Sequence, residues 1–114
     1  MTLLTTEEMD TAMIRLCKLD DLPVGLGRAF AVGERTIAVF RTRQGKLFAV
    51  DNRCPHKGGP LSEGMLAGDH VVCPLHAFRF EFSTGTCDQP GICPVATYPV
   101  IEDEGVVYLA LPAR

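Results

Sequence analysis

No apolar run in this sequence approaches the ~20 residues needed to cross a bilayer as a helix. The longest runs, such as residues 29–32 and 37–40, cover only a few positions, so neither a membrane helix nor a membrane partner is expected. Lys and Arg are scattered through a chain of net charge −3. A phosphate-neutralising patch is therefore missing, and nucleic acid is not an expected partner. The first ten residues carry Glu7, Glu8 and Asp10 and no Lys or Arg, the wrong sign for a secretory or mitochondrial leader. The expectations are a cytoplasmic location, a flexible segment over residues 1–10 and a single domain over 11–114. The five cysteines are an odd number, which excludes a fully paired disulfide framework. No internal repeat and no low-complexity tract interrupts the chain.

What is present is a succession of short stretches rich in Val, Ile, Phe and Thr, punctuated by Gly, Pro and Asp. That pattern predicts an all-β fold with little helix. Strands are expected at about residues 13–17, 28–32, 36–41, 47–51, 70–73, 79–82, 97–101 and 106–111. The links Gly33-Glu34, Gln44-Gly45-Lys46, Ser83-Thr84-Gly85 and Glu102 to Gly105 are short and polar, suited to hairpins and hence to antiparallel pairing. Three segments break the rhythm and read as loops: 53–68, 74–78 and the surface connection 87–94. Phe78, Phe80 and Phe82 alternate, the spacing of one buried strand face.

Two of those loops hold the chemistry. Cys54-Pro55-His56 is followed after sixteen residues by Cys73-Pro74-Leu75-His76, giving C-x-H-x16-C-x2-H. Each half offers one thiolate and one imidazole, and one or two intervening residues in a Pro-containing turn let a loop aim both to one side. Two thiolates on one iron and two imidazoles on the other are the ligand set of a Rieske-type [2Fe-2S] centre. Two ferric ions, two sulfides and two thiolates sum to a neutral oxidised centre, whereas four thiolates would leave it doubly negative. An added electron therefore costs less, and the reduction potential rises. Gly58 and Gly59 follow His56 closely, where they serve either as a loop turn or as close backbone donors to sulfur.

The same four side chains could hold a structural zinc, although zinc modules usually pair like with like, as C-x2-4-C and H-x3-5-H. A Cys-His nucleophile is the other competitor, and it leaves one matched pair without a role. Cys17, Cys87 and Cys93 read as ordinary thiols, His70 as a strand histidine outside both motifs, and Glu102-Asp103-Glu104 as a solvated turn.

From Asn52 to Leu111 the sequence resembles the Rieske ferredoxin family, with all four ligand positions matched by Cys54, His56, Cys73 and His76. The resemblance implies an antiparallel β-sandwich or barrel with a cluster-binding subdomain at its tip. It also implies one [2Fe-2S] cluster per chain, electron transfer, and no substrate-converting site on this chain. Within the family, the run from Cys54 to Gly64, the second ligand motif and Cys93-Pro94-Val95-Ala96-Thr97-Tyr98-Pro99-Val100 look like the small subunit of assimilatory NAD(P)H-dependent nitrite reductase. The implied partner is then a large flavin and sirohaem subunit that reduces nitrite to ammonium. In that subunit a polar residue and a Trp more commonly follow the second ligand histidine, where this chain has Ala77 and Phe78. The alternative resemblance is to the ferredoxin component of an aromatic-ring dioxygenase, with a ferredoxin reductase and an oxygenase as partners. Respiratory Rieske proteins carry an extra cysteine in each loop, where Gly59 and Leu75 stand here, and hydrogen-bonding Ser and Tyr where Phe78 and Phe80 stand. Fewer hydrogen bonds to the cluster sulfurs imply a potential toward the lower end of the Rieske range, about −150 to +300 mV.

Overall fold

The computed structural model describes residues 11–54, 59–74 and 78–112. Among these, ten strands form three antiparallel sheets. The first sheet joins β1 (Thr11–Lys18), β10 (Val106–Pro112) and β9 (Val100–Asp103) in the order β1-β10-β9. The second runs β2-β3-β4-β8, from Gly27–Val32, Arg35–Arg41, Leu47–Asp51 and Thr97–Tyr98. The third is β5-β6-β7, from Met65–Ala67, His70–Val72 and Arg79–Glu81. Helix is limited to two 3-10 turns, Leu19–Asp21 and Leu61–Glu63. Among the described residues no helix is long and apolar enough to cross a membrane.

The second sheet is covered on both faces, and the sequence of β3 says why. Ile37, Ala38, Val39 and Phe40 are four consecutive buried residues, and side chains alternate across a strand. Ile37 and Val39 join Ala49, Val107, Leu109 and Leu111 in one core, between the first and second sheets. Ala38 and Phe40 join Val50, Leu61, Val71, Phe80, Phe82 and Val95 in another, between the second and third. A continuous apolar run marks a strand buried on two sides. The alternating phenylalanines contribute as their spacing predicts: Phe80 and Phe82 are buried and Phe78 packs at the edge of the same core. The Phe82 ring stacks on Phe48 at 4.8 Å and lies tilted against Phe40 at 4.9 Å.

Turn chemistry sets the register. Val32 pairs with Arg35 around Gly33-Glu34, with Gly33 at φ 62°. Asp103 pairs with Val106 around Glu104-Gly105, at φ 51° and 80°. Two consecutive positive φ values define a type I′ hairpin turn; of the acidic run expected to form the turn, only Glu104 does so, while Glu102 and Asp103 are exposed residues at the end of β9. Ser83-Thr84-Gly85 also reverses the chain, with Gly85 N–H donating to Glu81 C=O at 2.7 Å and Phe80 bridging Cys87.

Two expectations are corrected. The strand expected over 97–101 is two strands in different sheets: Thr97–Tyr98 pairs with β4 and Val100–Asp103 with β10. Pro99 stands between them, has no N–H for a ladder, and marks the crossing between sheets. The loop expected over 53–68 contains β5, whose residues Met65 to Ala67 pair with Val72 to His70. Replacing Phe82 with Ala is expected to cost about 3–5 kcal/mol, read as a lowered urea midpoint followed by far-UV circular dichroism.

Candidate metal centre

The two cysteines of the matched motifs meet in one place. Cys54 and Cys73 are each only 1% exposed and belong to the same apolar core, with Leu61, Val71, Phe80 and Val95. No cysteine of the chain is in a disulfide. The arms that carry them are built alike. Cys54 follows β4 and donates its backbone N–H to the Gly59 carbonyl at 2.8 Å. Cys73 follows β6 and donates its N–H to the Phe78 carbonyl, also at 2.8 Å. Each arm is thus closed five residues beyond its cysteine. The necks continue as antiparallel pairs, Arg53 with Pro60 and Val72 with Arg79. The four residues enclosed by each closure include His56 in the first arm and His76 in the second. Both histidines lie outside the described residues.

Two residues that the sequence left without a role hold the arms in place. Asn52 accepts twice from the 3-10 turn after the first arm: its carbonyl from Leu61 N–H at 2.7 Å and its Oδ1 from Ser62 N–H at 2.8 Å. Gly64 ends that turn, and a Cβ there would collide with the Val72 carbonyl and stand 3.1 Å from the Leu61 carbonyl. Its φ of −76° is open to any residue, so the requirement is steric: the turn after the first arm lies directly on the strand that leads into Cys73. The only signal in the sequence was a glycine where the motif ended. Gly59 is buried and supplies its carbonyl to close the first arm; Gly58 lies outside the described residues.

The donor set fits an iron–sulfur centre. Two soft sulfur donors lie buried in one apolar core, where a thiolate persists when a metal neutralises it. Among the described residues no group of three or more His, Cys, Asp and Glu could hold a metal by itself. Each tip contains one histidine in its sequence, His56 in the first and His76 in the second. The other cysteines lie elsewhere. Cys17 is half-buried in β1 beside a register shift, and burial pushes its thiol up, with Asp21 adding to the effect and Arg28 opposing it. Cys87 is half-buried and Cys93 exposed. His70 is half-buried in β6, opposite Glu81.

A Gly64→Ala substitution should separate the arms at a cost of about 1–3 kcal/mol, the usual penalty for overpacking. The expected outcome is faster bleaching of visible absorbance in a chelator challenge; bleaching at the parental rate would refute the steric role of Gly64.

Comparison with known proteins agrees with this geometry. Residues 12–99 match the model of the Rieske [2Fe-2S] domain. The 3-phenylpropionate/cinnamic acid dioxygenase ferredoxin subunit of Photorhabdus laumondii is 37% identical over 98 residues, covering 84% of this chain and 91% of that one. A chain in the complex of reduced oxygenase and oxidised ferredoxin in carbazole 1,9a-dioxygenase superposes with a TM-score of 0.75 at 33% identity, covering 84% of this chain and 99% of that one. A Mycobacterium tuberculosis protein provisionally assigned as an NADH-dependent nitrite reductase small subunit gives a TM-score of 0.82 at 27% identity, covering 91% and 98%. The chain belongs to the Rieske [2Fe-2S] family and is an electron-transfer protein with one [2Fe-2S] cluster.

Proposed function

We propose that this chain is the ferredoxin of an aromatic-ring oxygenase system, taking one electron at a time from a flavin-containing reductase and delivering it to the oxygenase. In this reading Cys54 and Cys73 hold one iron, and His56 and His76 hold the other. The cluster supplies a one-electron couple between its diferric and mixed-valence states. The protein's own part is to fix the arms and keep water from the thiolates. The closures at Gly59 and Phe78 hold the backbone, and Leu61, Val71 and Phe80 form an apolar wall beside the two sulfurs. No residue is assigned to bond-making chemistry.

The observation that carries the partner assignment is 37% identity across nearly the whole of a dioxygenase ferredoxin subunit. Ala77-Phe78 in place of the polar residue and Trp commoner in nitrite reductase small subunits points the same way. The second reading is the small subunit of an NAD(P)H-dependent nitrite reductase, and the higher TM-score to the mycobacterial protein favours it.

Reconstitution separates the two. Mixed with a ferredoxin reductase, NADH and a Rieske-type oxygenase, the chain should support substrate-dependent NADH oxidation that falls at least tenfold when it is omitted. Nitrite-dependent NAD(P)H oxidation, appearing only with a sirohaem-containing large subunit, would transfer the assignment to the second reading. Alanine substitution of Cys54 or of Cys73 should leave a colourless protein, and the reduced parent should give a [2Fe-2S] electron spin signal with nitrogen hyperfine coupling. A colourless parent holding one zinc would reject both readings.

The apolar Phe78 and Phe80 offer the cluster sulfurs no hydroxyl donor. The midpoint potential by voltammetry is therefore expected below zero, near the −150 mV end of the range for Rieske centres. A value well above zero would contradict this.

A further inference from the structure

A strand at the edge of a sheet offers unpaired backbone groups to any second strand, and folded proteins blunt such edges. Most edges of this fold are blunted. β1 carries a register shift between Arg15 and Cys17, β9 ends in exposed Glu102 and Asp103, and β7 is bridged by Cys87. β5 and β8 are only three and two residues long. β2, the outer strand of the second sheet, is the exception. It runs from Gly27 to Val32 without a proline or a register shift. Its one charged side chain is drawn back onto its own chain: the Arg28 guanidinium lies 5.4 Å from the centroid of the Phe30 ring and donates to the Asp21 carbonyl at 3.0 Å.

The hydrogen bonds of β3 fix which groups of β2 face out. Asn52 N–H donates to the Thr36 carbonyl at 2.9 Å, and Arg41 N–H donates to the Leu26 carbonyl at 3.4 Å, so Thr36 turns its backbone toward β4 and Arg41 toward β2. Alternation along an antiparallel ladder then turns Ile37 and Val39 toward β2 as well, where they pair with Phe30 and Arg28. The backbone groups of Gly27, Ala29 and Ala31 therefore point away from the sheet, and none of them has a hydrogen-bond partner among the described residues. Ala29 and Ala31 are exposed and their side chains are small, so a second backbone can approach closely.

We propose that this edge is a dimer interface, occupied by β2 of a second copy of the chain running antiparallel about a two-fold axis at Ala29. In that register the edge is its own complement. Gly27 stands opposite Ala31 of the second copy, Ala29 stands opposite Ala29, and every outward N–H meets an outward C=O. Arg28 stands opposite Phe30 of the second copy, repeating across the axis the cation–aromatic contact that each chain makes within itself. The two central sheets join into one. The metal arms leave β4 and β6, so the interface takes none of their residues and does not depend on which redox partner the protein serves.

The test uses the full-length, cluster-loaded protein. Sedimentation equilibrium over a concentration series should give the mass of two chains at high concentration and of one chain on dilution. Over the same series, hydrogen exchange read by mass spectrometry should slow about tenfold or more at the outward amides of Gly27, Ala29 and Ala31. Ala29→Pro removes an outward N–H and spares the bonds between β2 and β3, while Ala29→Lys sets two like charges face to face across the axis. Each variant should keep the far-UV spectrum and the visible absorbance of the cluster, yet keep the mass of one chain at every concentration. The exchange measurement on the parent needs no variant, so it decides the matter where a substitution impairs folding. A parent with the mass of one chain throughout, a dimer that persists in both variants, or exchange over residues 27–31 that ignores concentration would overturn the proposal. Protection of the edge that appears only when a reductase or an oxygenase is added would also overturn it, assigning the edge to a strand of that protein.

Discussion

Burial of β3 on both faces is the constraint from which the rest of the molecule follows. Ile37 and Val39 face the β1-β10-β9 sheet, and Ala38 and Phe40 face the layer that carries the metal arms. Fully burying a side chain of this kind is worth about 1.5–3 kcal/mol, so one strand commits two cores at once. Cys54 and Cys73 sit in the second of these cores. The arms therefore cannot shift without disturbing packing that reaches back into the sandwich, and a carrier that changes charge but not shape is best served by such a mounting.

Much of this was legible in the sequence, and what was not has identifiable physical causes. The strand Leu47–Asp51 and the hairpins at Gly33-Glu34 and Glu104-Gly105 follow from local chemistry alone, namely a short apolar run bounded by polar turns and glycines free to take positive φ. The thiol positions were readable because ligand spacing is a local property of a loop. The split at Pro99 was not, since Thr97, Tyr98, Val100 and Ile101 are all good strand formers and only the sheet they join differs. β5 escaped because Met65, Leu66 and Ala67 lack β-branched residues; its pairing with β6 makes it a strand. Asn52 and Gly64 matter through contacts across the fold, Asn52 with the turn at Leu61 and Gly64 with Val72. A single chain read in order does not display contacts of that kind.

Chains described as dioxygenase ferredoxins and as nitrite reductase small subunits both superpose on this scaffold. Backbone likeness therefore reports the mounting, and the choice of partner rests with side chains on the surface around the arms. Sequence identity samples those side chains and a superposition of Cα atoms does not, which is the physical reason for weighting identity over TM-score in assigning the partner.

The acidic surface lies apart from the metal arms. Leu19 N–H donates to Gly105 C=O at 2.8 Å, placing Asp20 and Asp21 beside the acidic turn at Glu104. Arg41 Nη1 donates to the Leu19 and Leu22 carbonyls, which fixes this acidic group near the β3–β4 turn. The first metal arm leaves β4 at the opposite end, after Asp51. Five residues of strand separate the two ends by about 14 Å, beyond the Debye length of about 8 Å at physiological ionic strength. Those carboxylates are thus largely screened from the iron and contribute little to its potential. In the proposed reading that property is left to the ligand set and to the apolar residues packed in the same core as Cys54 and Cys73, Phe78 and Phe80 among them. Arg28 and Arg41 reach the Asp21, Leu19 and Leu22 carbonyls of the same group, so cations stand among those carboxylates and this end presents no field of a single sign to an approaching partner.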